Sequence, residues 1–400
     1  MRGHSALRAL RVVLTISLLS GVARAGSMER TGPGTGPLGG SRAITVSHSA
    51  LLHTAQVFAT GEGGRIAADL DELGQARLAW GNLGQLLGSM GSDEQKIVRL
   101  NVVVTDSAAG TAMGRVLREA LAPSDRPSVT LVEGSLPLHG SRVALDAVAL
   151  AADGVAGRPA PDSTALAWLP GLRAASRLAA GPRVYISGRA ADGSPGDAAS
   201  DVLRQIERML RFLSLDRRSV IQLKCFLRPV SATAEVHERI VEHFRGEPPS
   251  VVFVEWKNRL PIEIEAIAQA AADPSRSALR FITPPWDRAS PIFARVVRID
   301  HPVSIYVSTL NGRTPNRGEL QVREMFDQLS ELLAEVGSDF RHLAKATYYV
   351  ADERSSTTLN EVRPEHYEAD RPPAASKASV QGTAVPGMHL AVDMIAVPSE

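Results

Sequence analysis

The chain has little of several features that mark common protein classes. Its 400 residues include one cysteine, Cys225, so no disulfide can form within the chain. The apolar neighbours of Cys225 indicate a buried small residue rather than a nucleophile. Aromatic residues make up only 4% and the net charge is +1. An aromatic platform and a basic field are thus both lacking, and we expect no nucleic-acid partner.

Motifs for metal binding and serine hydrolysis are also lacking. The ten histidines show neither an H-E-x-x-H pattern nor a close pair, so the sequence predicts no metal site. No G-x-S-x-G motif is present, which argues against a serine hydrolase of the α/β-hydrolase type. We expect no cofactor of another kind.

The N-terminus has the features of a secretory signal peptide. Three arginines precede an apolar run at 12–19, which is too short to span a membrane, and an A-x-A motif ends at Ala25. We therefore predict a signal peptide at 1–25, cleavage after Ala25, a secreted or periplasmic location and no membrane contact after cleavage. An uncleaved anchor is the alternative. Residues 26–41 are rich in glycine and proline and are predicted to form a flexible leader.

One strand pattern occurs three times in the chain. Residues 262–268 alternate apolar and charged side chains and then become wholly apolar, which is typical of a strand that is buried first on one face and then on both. Glu265 lies where the strand becomes apolar, and burying a lone carboxylate is costly. An exposed strand edge or an arginine partner would also account for Glu265. The same pattern aligns Glu265 with Asp146 and Asp393, which predicts a threefold internal repeat.

The repeats share one order of predicted elements: strand, strand, helix, strand, helix, strand, strand. Residues 91–93 of the first repeat, Gly-Ser-Asp, recur as 337–339 in the third. A sheet with helices on one face has a second face that needs a cover, and three copies can cover one another around a pseudo-threefold axis. The predicted domains are 42–150, 163–270 and 280–400.

The repeat resembles the RidA/YjgF family, which has a chorismate-mutase-like fold. The family pattern has a strand ending in Ser-Gly, then Pro-Ala-Arg, Leu-Pro and a strand similar to Val-Glu-Ile-Glu-Ala-Ile-Ala. The second repeat matches it best, at Ser187-Gly188, Leu260-Pro261 and 262–268. The resemblance implies an α/β (α+β) fold with three tandem RidA-like domains, each a mixed sheet with two helices on one face. It also implies a monomeric single-chain pseudo-trimer with three non-identical ligand clefts.

The resemblance carries expectations about chemistry as well. Active family members hydrolyse enamines and imines and release ammonia; an arginine binds the substrate carboxylate as a fork, and a carboxylate at the strand end assists. On this basis Glu265 and Ser187 are the candidate catalytic residues. The candidate ligand-binding residues are Gly188, Val251, Asp146, Asp393, Thr60, Gly61, Ser308, Asn360 and Lys377.

The sequence departs from the family pattern at the arginine. Its position holds Val251 in the second repeat, Ser128 or Val129 in the first and Ala375 in the third. Lys377 lies nearby, but an ammonium does not replace a guanidinium fork. The sequence therefore favours a divergent, exported protein that binds a small molecule or a partner in its clefts. An enamine or imine deaminase is the alternative, and a different hydrolytic activity or a structural role also stays open.

Overall fold

The structure of the protein is a computed structural model that describes residues 26–34, 36–152, 168–273 and 277–399. The predicted signal peptide lies outside the described residues. The strands are β1 (Ser27–Pro33), β2 (Ser41–Ser47), β3 (Leu51–Thr54), β4 (Val57–Phe58), β5 (Ile97–Val104), β6 (Ser128–Glu133), β7 (Val143–Leu150), β8 (Ala175–Leu178), β9 (Arg183–Ala191), β10 (Val220–Leu227), β11 (Ser250–Glu255), β12 (Ile262–Gln269), β13 (Leu279–Ile282), β14 (Val296–Ile299), β15 (Val303–Leu310), β16 (Leu343–Val350), β17 (Ala374–Ser379) and β18 (Leu390–Ala396). The helices are α1 (Glu72–Ser89), α2 (Ser107–Ala120), α3 (Pro195–Phe212), α4 (Thr233–His243), α5 (Gly318–Glu335) and α6 (Glu353–His366).

Three mixed sheets, each of six strands, define three structural units. Their orders are β6-β5-β7-β3-β8 with β4 beside β7 (unit 1), β11-β10-β12-β9-β14-β13 (unit 2) and β17-β16-β18-β15-β2-β1 (unit 3). Each sheet has one parallel pair of strands and two helices packed together over one face. These observations confirm the predicted fold class, and the three sheets fit the predicted three-domain arrangement.

Helix α1 shows how local sequence sets the ends of these elements. The Asp71 carboxylate accepts a hydrogen bond of 2.7 Å from the Gly74 N–H, which caps the first turn. Gly91 follows the last turn with a φ of +72°, a left-handed conformation that favours glycine. Between these ends, Leu83 and Leu87 are fully buried against the sheet of unit 1.

Each sheet includes strands from a part of the chain outside its own repeat. Strand β8 precedes unit 2 in the chain but pairs with β3 of unit 1, and β14 precedes unit 3 but pairs with β9 of unit 2. At the N-terminus, β1 and β2 form a hairpin, and β2 pairs with β15 of unit 3, where Ile44 lies opposite Tyr306. The prediction of a flexible leader at 26–41 differs from the structure, because backbone pairing orders Ser27–Pro33 as an edge strand of unit 3.

The faces of the sheets that lack helices meet in one shared apolar core. Its residues come from all three sheets, so each sheet covers the others. Examples are Val98 and Val148 of unit 1, Tyr185 and Ile267 of unit 2, and Tyr306 and Ile395 of unit 3. This contact supplies the cover that the second face of each sheet requires. No helix among the described residues is long and apolar enough to cross a membrane.

Strand β2 is therefore expected to stabilise unit 3, with which it pairs through β15. Ile44 is fully buried in the shared core, so Ile44→Ala should lower the free energy of unfolding by about 2–5 kcal/mol. The same change should speed hydrogen exchange of the β15 amides, which pair with β2. Ile44→Val is the control, with a cost of only about 0.5–1.5 kcal/mol. Unchanged exchange in β15 after Ile44→Ala would contradict the assigned pairing.

Candidate functional site

The three aligned acids lie in the interior between the sheets. Strand pairing places Asp146, Glu265 and Asp393 at equivalent positions of β7, β12 and β18, as the repeat predicts. Each is at most 3% exposed. Burying a carboxylate is costly unless a hydrogen-bond donor or a cation compensates its charge.

Two of the acids form ion pairs that cross from one unit to another. The Lys345 ammonium of unit 3 donates a hydrogen bond of 2.7 Å to Glu265 Oε2 of unit 2. The Arg99 guanidinium of unit 1 donates one of 3.0 Å to Asp393 Oδ1 of unit 3. Both cations are themselves buried. The structure therefore gives Glu265 and Asp393 a structural partner each.

Asp146 has a different environment. Its carboxylate accepts a hydrogen bond of 2.6 Å from Asn101 within unit 1. Burial raises the pKa of Asp146 to about 6, against the opposing effects of the Lys224 ammonium and the Asn101 amide. The position equivalent to Arg99 and Lys345 holds Gln222 in unit 2, which is neutral. The ion pairing in the interior is thus not threefold.

Four of the predicted site residues converge in the cleft between units 2 and 3, here called cleft 2/3. They are Ser187, Gly188, Asn360 and Lys377. Ser187 of β9 contacts β17 and the segment before β14, because its hydroxyl donates to the Ala294 carbonyl at 2.5 Å and accepts from the Ala375 N–H at 2.8 Å. Both hydrogen bonds are to the backbone, so Ser187 aligns the walls of the cleft.

Cleft 2/3 also contains the carboxylate of Glu263, which is not among the predicted site residues. It lies two residues before Glu265 in β12 and therefore on the same face of that strand. A Cβ atom on Gly188 would lie 1.9 Å from Glu263 Oε1, so only glycine leaves room for the carboxylate. Burial raises the pKa of Glu263 to about 7, opposed by the Ser376 hydroxyl and by nearby lysines.

Lys377 faces Glu263 from the unit 3 side of the cleft. Its ammonium donates to Ser356 Oγ at 2.8 Å and to Asn360 Oδ1 at 3.2 Å. Burial and the Arg363 guanidinium lower the pKa of Lys377, whereas Glu263 acts in the opposite direction. Cleft 2/3 therefore combines a fixed cation with a carboxyl group that changes charge near neutral pH.

The cleft between units 1 and 2, cleft 1/2, is filled by side chains. Strand register aligns Ala55 with Ser187 and Gln56 with Gly188. The Gln56 amide donates to the Phe253 carbonyl at 2.8 Å and accepts from the Phe253 N–H at 3.0 Å. The ring of Trp168 packs edge-on against Phe253, with ring centroids 6.2 Å apart.

The other predicted site residues of units 1 and 2 are Thr60, Gly61 and Val251. Thr60 and Gly61 lie past the end of β4, and the Thr60 carbonyl accepts a hydrogen bond of 2.9 Å from Asn82. By strand register they are not the counterparts of Ser187 and Gly188. Val251 is fully buried in the core between the unit 2 sheet and its helices.

The cleft between units 3 and 1, cleft 3/1, repeats the backbone connection of cleft 2/3. The Ser308 hydroxyl donates to the Ser41 carbonyl at 2.5 Å and accepts from the Val129 N–H at 2.8 Å. Beside Ser308 lies a cavity of about 710 Å³.

Among the described residues, no group of three or more His, Cys, Asp or Glu side chains is placed to hold a metal ion.

Comparisons with known proteins identify the class of this fold. A family model described as Endoribonuclease L-PSP matches residues 296–398. The 2-iminobutanoate/2-iminopropanoate deaminase of Rattus norvegicus is 28% identical over 113 residues, which are 26% of this chain and 79% of that protein. The enzyme of the same name from Homo sapiens is 25% identical over the same coverage.

Solved structures of the same class resemble parts of the chain. NMB1025, a YjgF protein from Neisseria meningitidis, is 23% identical with a TM-score of 0.23, over 30% of this chain and 96% of that one. The Rid protein YyfB from Yersinia pestis is 23% identical with a TM-score of 0.27, over 31% and 98%. The sequence matches support the predicted assignment to the RidA/YjgF family, and residues 296–398 carry the match to the family model.

The ion pair of Glu265 predicts a stability effect that a catalytic role alone would not produce. Lys345→Met leaves the buried Glu265 carboxylate without its cation and should cost about 3–5 kcal/mol of unfolding free energy. The double variant Lys345→Met/Glu265→Gln should recover part of that loss, because no buried charge is left unpaired. Urea unfolding of the single and double variants measures both values. Strictly additive effects would contradict direct pairing.

Proposed function

We propose that this chain is a divergent, exported member of the RidA/YjgF family that binds a small carboxylate-bearing molecule in cleft 2/3. The observation that carries this proposal is the half-buried Lys377 ammonium, which faces Glu263 across the boundary between two units. The positions of the family's arginine hold Val129, Val251 and Ala375, so Lys377 takes over the recognition of the anion as a point charge.

The neighbours of Lys377 support this role. Ser356 and Asn360 hold the ammonium by hydrogen bonds of 2.8 and 3.2 Å, so it is oriented before a ligand arrives. When Glu263 is protonated, it has a proton to donate to the ligand and no charge that repels it. Such a ligand gains a charge-assisted hydrogen bond from one unit and a neutral one from the other.

Export is supported by the sequence of the first 25 residues. Three arginines, the apolar run at 12–19 and the A-x-A motif ending at Ala25 are the features of a cleavable signal. The first strand, β1, begins at Ser27, so cleavage after Ala25 leaves every described strand intact. The mature protein is proposed to act as a monomer, in which three units of one chain take the place of a trimer.

The binding proposal predicts a defined dependence on pH. A carboxylate ligand such as 2-oxobutanoate should bind most tightly below pH 7, where Glu263 is mostly neutral. Its affinity should fall as pH rises through about 7, because the ionised Glu263 repels the anion. Glu263→Gln should abolish this pH dependence. Isothermal titration calorimetry between pH 6 and pH 8 measures the dissociation constants.

Lysine variants give the control for this experiment. Lys377→Met should weaken 2-oxobutanoate binding by about 10- to 100-fold at pH 6, because the ammonium proposed to bind the ligand carboxylate is lost. Lys96→Met makes the same change at a surface position and should leave binding unchanged. Equal dissociation constants for the Lys377→Met variant and the unmodified protein would refute the proposed site.

A second candidate function is hydrolysis of an imine in the same cleft. A carboxyl group with a pKa of about 7 is suited to give and take a proton at neutral pH. The relatives named as 2-iminobutanoate/2-iminopropanoate deaminases make this chemistry relevant. Water would add to the imine carbon, the carbon–nitrogen bond would break, and a 2-oxo acid and ammonia would leave. Glu263 would take the proton from water and return it to the nitrogen.

Ammonia release distinguishes this candidate from binding alone. An amino-acid oxidase generates 2-iminopropanoate from alanine in situ, and the rate of ammonia release is compared with the uncatalysed hydrolysis. Hydrolysis by cleft 2/3 predicts a loss of about 100-fold or more with Glu263→Gln. Glu238→Gln, on the exposed face of α4, is the matched control. A rate equal to the background favours binding alone, and activity that survives Glu263→Gln excludes Glu263 as the proton carrier.

A further inference from the structure

An N-terminal segment of the chain helps to enclose the cavity in cleft 3/1. The N-terminal segment formed by Pro33, Gly34 and residues 36–40, here called the Gly/Pro cap, lies over the cavity of about 710 Å³. Two backbone hydrogen bonds close the cap: Gly34 N–H donates to the Gly40 carbonyl at 2.6 Å, and Gly39 N–H to the Gly36 carbonyl at 2.9 Å. This volume lies in the range of sites that bury a drug-sized molecule, about 300–1,000 Å³.

The charges of cleft 2/3 are absent from the equivalent positions here. Strand register aligns Leu131 with Lys377, and Leu131 lines the cavity. The position of Glu263 holds Ala391. Two substitutions thus replace the cation and the carboxyl group by apolar side chains. A site without a buried charge disfavours a charged ligand, because the ligand would lose its hydration without compensation.

The remaining walls combine apolar side chains with polar ones that have partners in the protein. Apolar side chains come from the cap, from unit 1 and from unit 3; they are Pro37, Leu38, Val129, Leu310, Val385 and Met388. The two arginines at the cavity already have partners: Arg42 pairs with Glu335, and Arg313 Nη2 lies 3.3 Å from Glu331 Oε2. Their charges are therefore largely compensated within the protein.

Two amide side chains at the cavity are engaged within the protein: Asn311 donates to the Leu390 carbonyl at 2.7 Å and Gln328 to the Asn311 carbonyl at 2.7 Å. Thr309 lines the cavity beside Ser308, and its buried hydroxyl oxygen has no hydrogen-bond partner among the described residues. Buried hydroxyl groups are normally hydrogen-bonded. A few convergent polar groups in a mostly apolar enclosure are the usual composition of a small-molecule site.

We propose that cleft 3/1 binds an uncharged, largely apolar small molecule, with the Thr309 hydroxyl as its hydrogen-bond partner. This ligand class differs from the carboxylate proposed for cleft 2/3. The proposal rests on the cavity and its walls, so it stands or falls independently of the function of the other cleft.

Two dyes with one aromatic scaffold test the proposal on the full chain. N-phenyl-1-naphthylamine is neutral, and 8-anilino-1-naphthalenesulfonate is the same scaffold with a sulfonate. Fluorescence titration is expected to show saturable binding of one neutral dye per chain, with an affinity at least about tenfold higher than that of the sulfonate. Tighter binding of the sulfonate in this cleft would overturn the proposal.

Filling the cavity identifies the site. A Cβ atom on Gly36 would meet no other atom within 4 Å, so Gly36→Phe adds a ring to the cavity without backbone strain. We expect it to weaken binding of the neutral dye by at least about tenfold. Gly81→Phe, on the exposed face of α1, also has free space and should leave the affinity unchanged. Met388→Trp fills the cavity from a different lining position and should have the same effect as Gly36→Phe.

The two clefts are separated by crossed measurements. Lys377→Met should leave dye binding unchanged, and Gly36→Phe should leave 2-oxobutanoate binding unchanged. Thermal unfolding shows that each variant is folded. Dye affinity that survives both Gly36→Phe and Met388→Trp in folded protein would overturn the proposal. Dye binding that appears only after the protein is diluted would also overturn the proposal. It would mean that a second copy of the chain occupies the cleft at higher protein concentration.

Discussion

The fold depends on one constraint: each sheet has helices on one face only, and its other face must be buried by another sheet. Val98, Tyr185 and Ile395 belong to three different sheets and pack in one shared core. Burial of apolar area at about 25 cal/mol per Å² makes this contact a large term in the stability of every unit. A unit in isolation would expose this face to water, which explains why the chain holds all three together.

The exchange of edge strands strengthens this dependence. Each sheet receives strands from another part of the chain, and β2 at the N-terminus pairs with β15 of unit 3. An unpaired β15 edge would present free N–H and C=O groups. The hairpin of β1 and β2 covers that edge, and the loop within the N-terminal segment covers cleft 3/1 as well. One stretch of chain thereby contributes both to closing the assembly and to enclosing a cavity.

Linking three units in one chain also removes the requirement that the clefts be alike. In a trimer of identical chains, one substitution changes all three clefts at once. Here the position of Lys377 holds Leu131 in one cleft and Phe253 in another. A single fold therefore presents one cleft with a lysine and a glutamate, one cavity without that pair and one filled interface.

The sequence alone predicted the repeat, the fold class and the family, because these depend on patterns that recur. The alignment of Asp146, Glu265 and Asp393 was correct for the same reason. Recurrence also directed attention to Glu265, which the structure pairs with Lys345 in the interior. Glu263 was missed because the other repeats have alanine at its position, although an acid present in one repeat only is itself a signal of a specialised cleft.

Other features could not be predicted from the sequence because they depend on residues that are distant in the chain. Strand β1 lies in a Gly- and Pro-rich stretch without clear periodicity, and β15, the partner of β2, begins more than 250 residues later. The role of Gln56 depends on the backbone of Phe253. Local pattern specifies elements, whereas the pairing of their edges follows from the arrangement of all three sheets.

The interface that lacks a buried ion pair is also the one whose cleft is filled, which suggests a physical reason for the filling of cleft 1/2. The interfaces beside clefts 2/3 and 3/1 each contain a buried ion pair, whereas Gln222 joins units 1 and 2 by a neutral hydrogen bond of 3.0 Å to the Thr54 carbonyl. A buried ion pair adds little net stability, but it constrains the register of the surfaces that carry it. An interface without one needs other contacts to fix its geometry. Gln56 and Trp168 provide such contacts in cleft 1/2, at the expense of the space that a ligand would occupy.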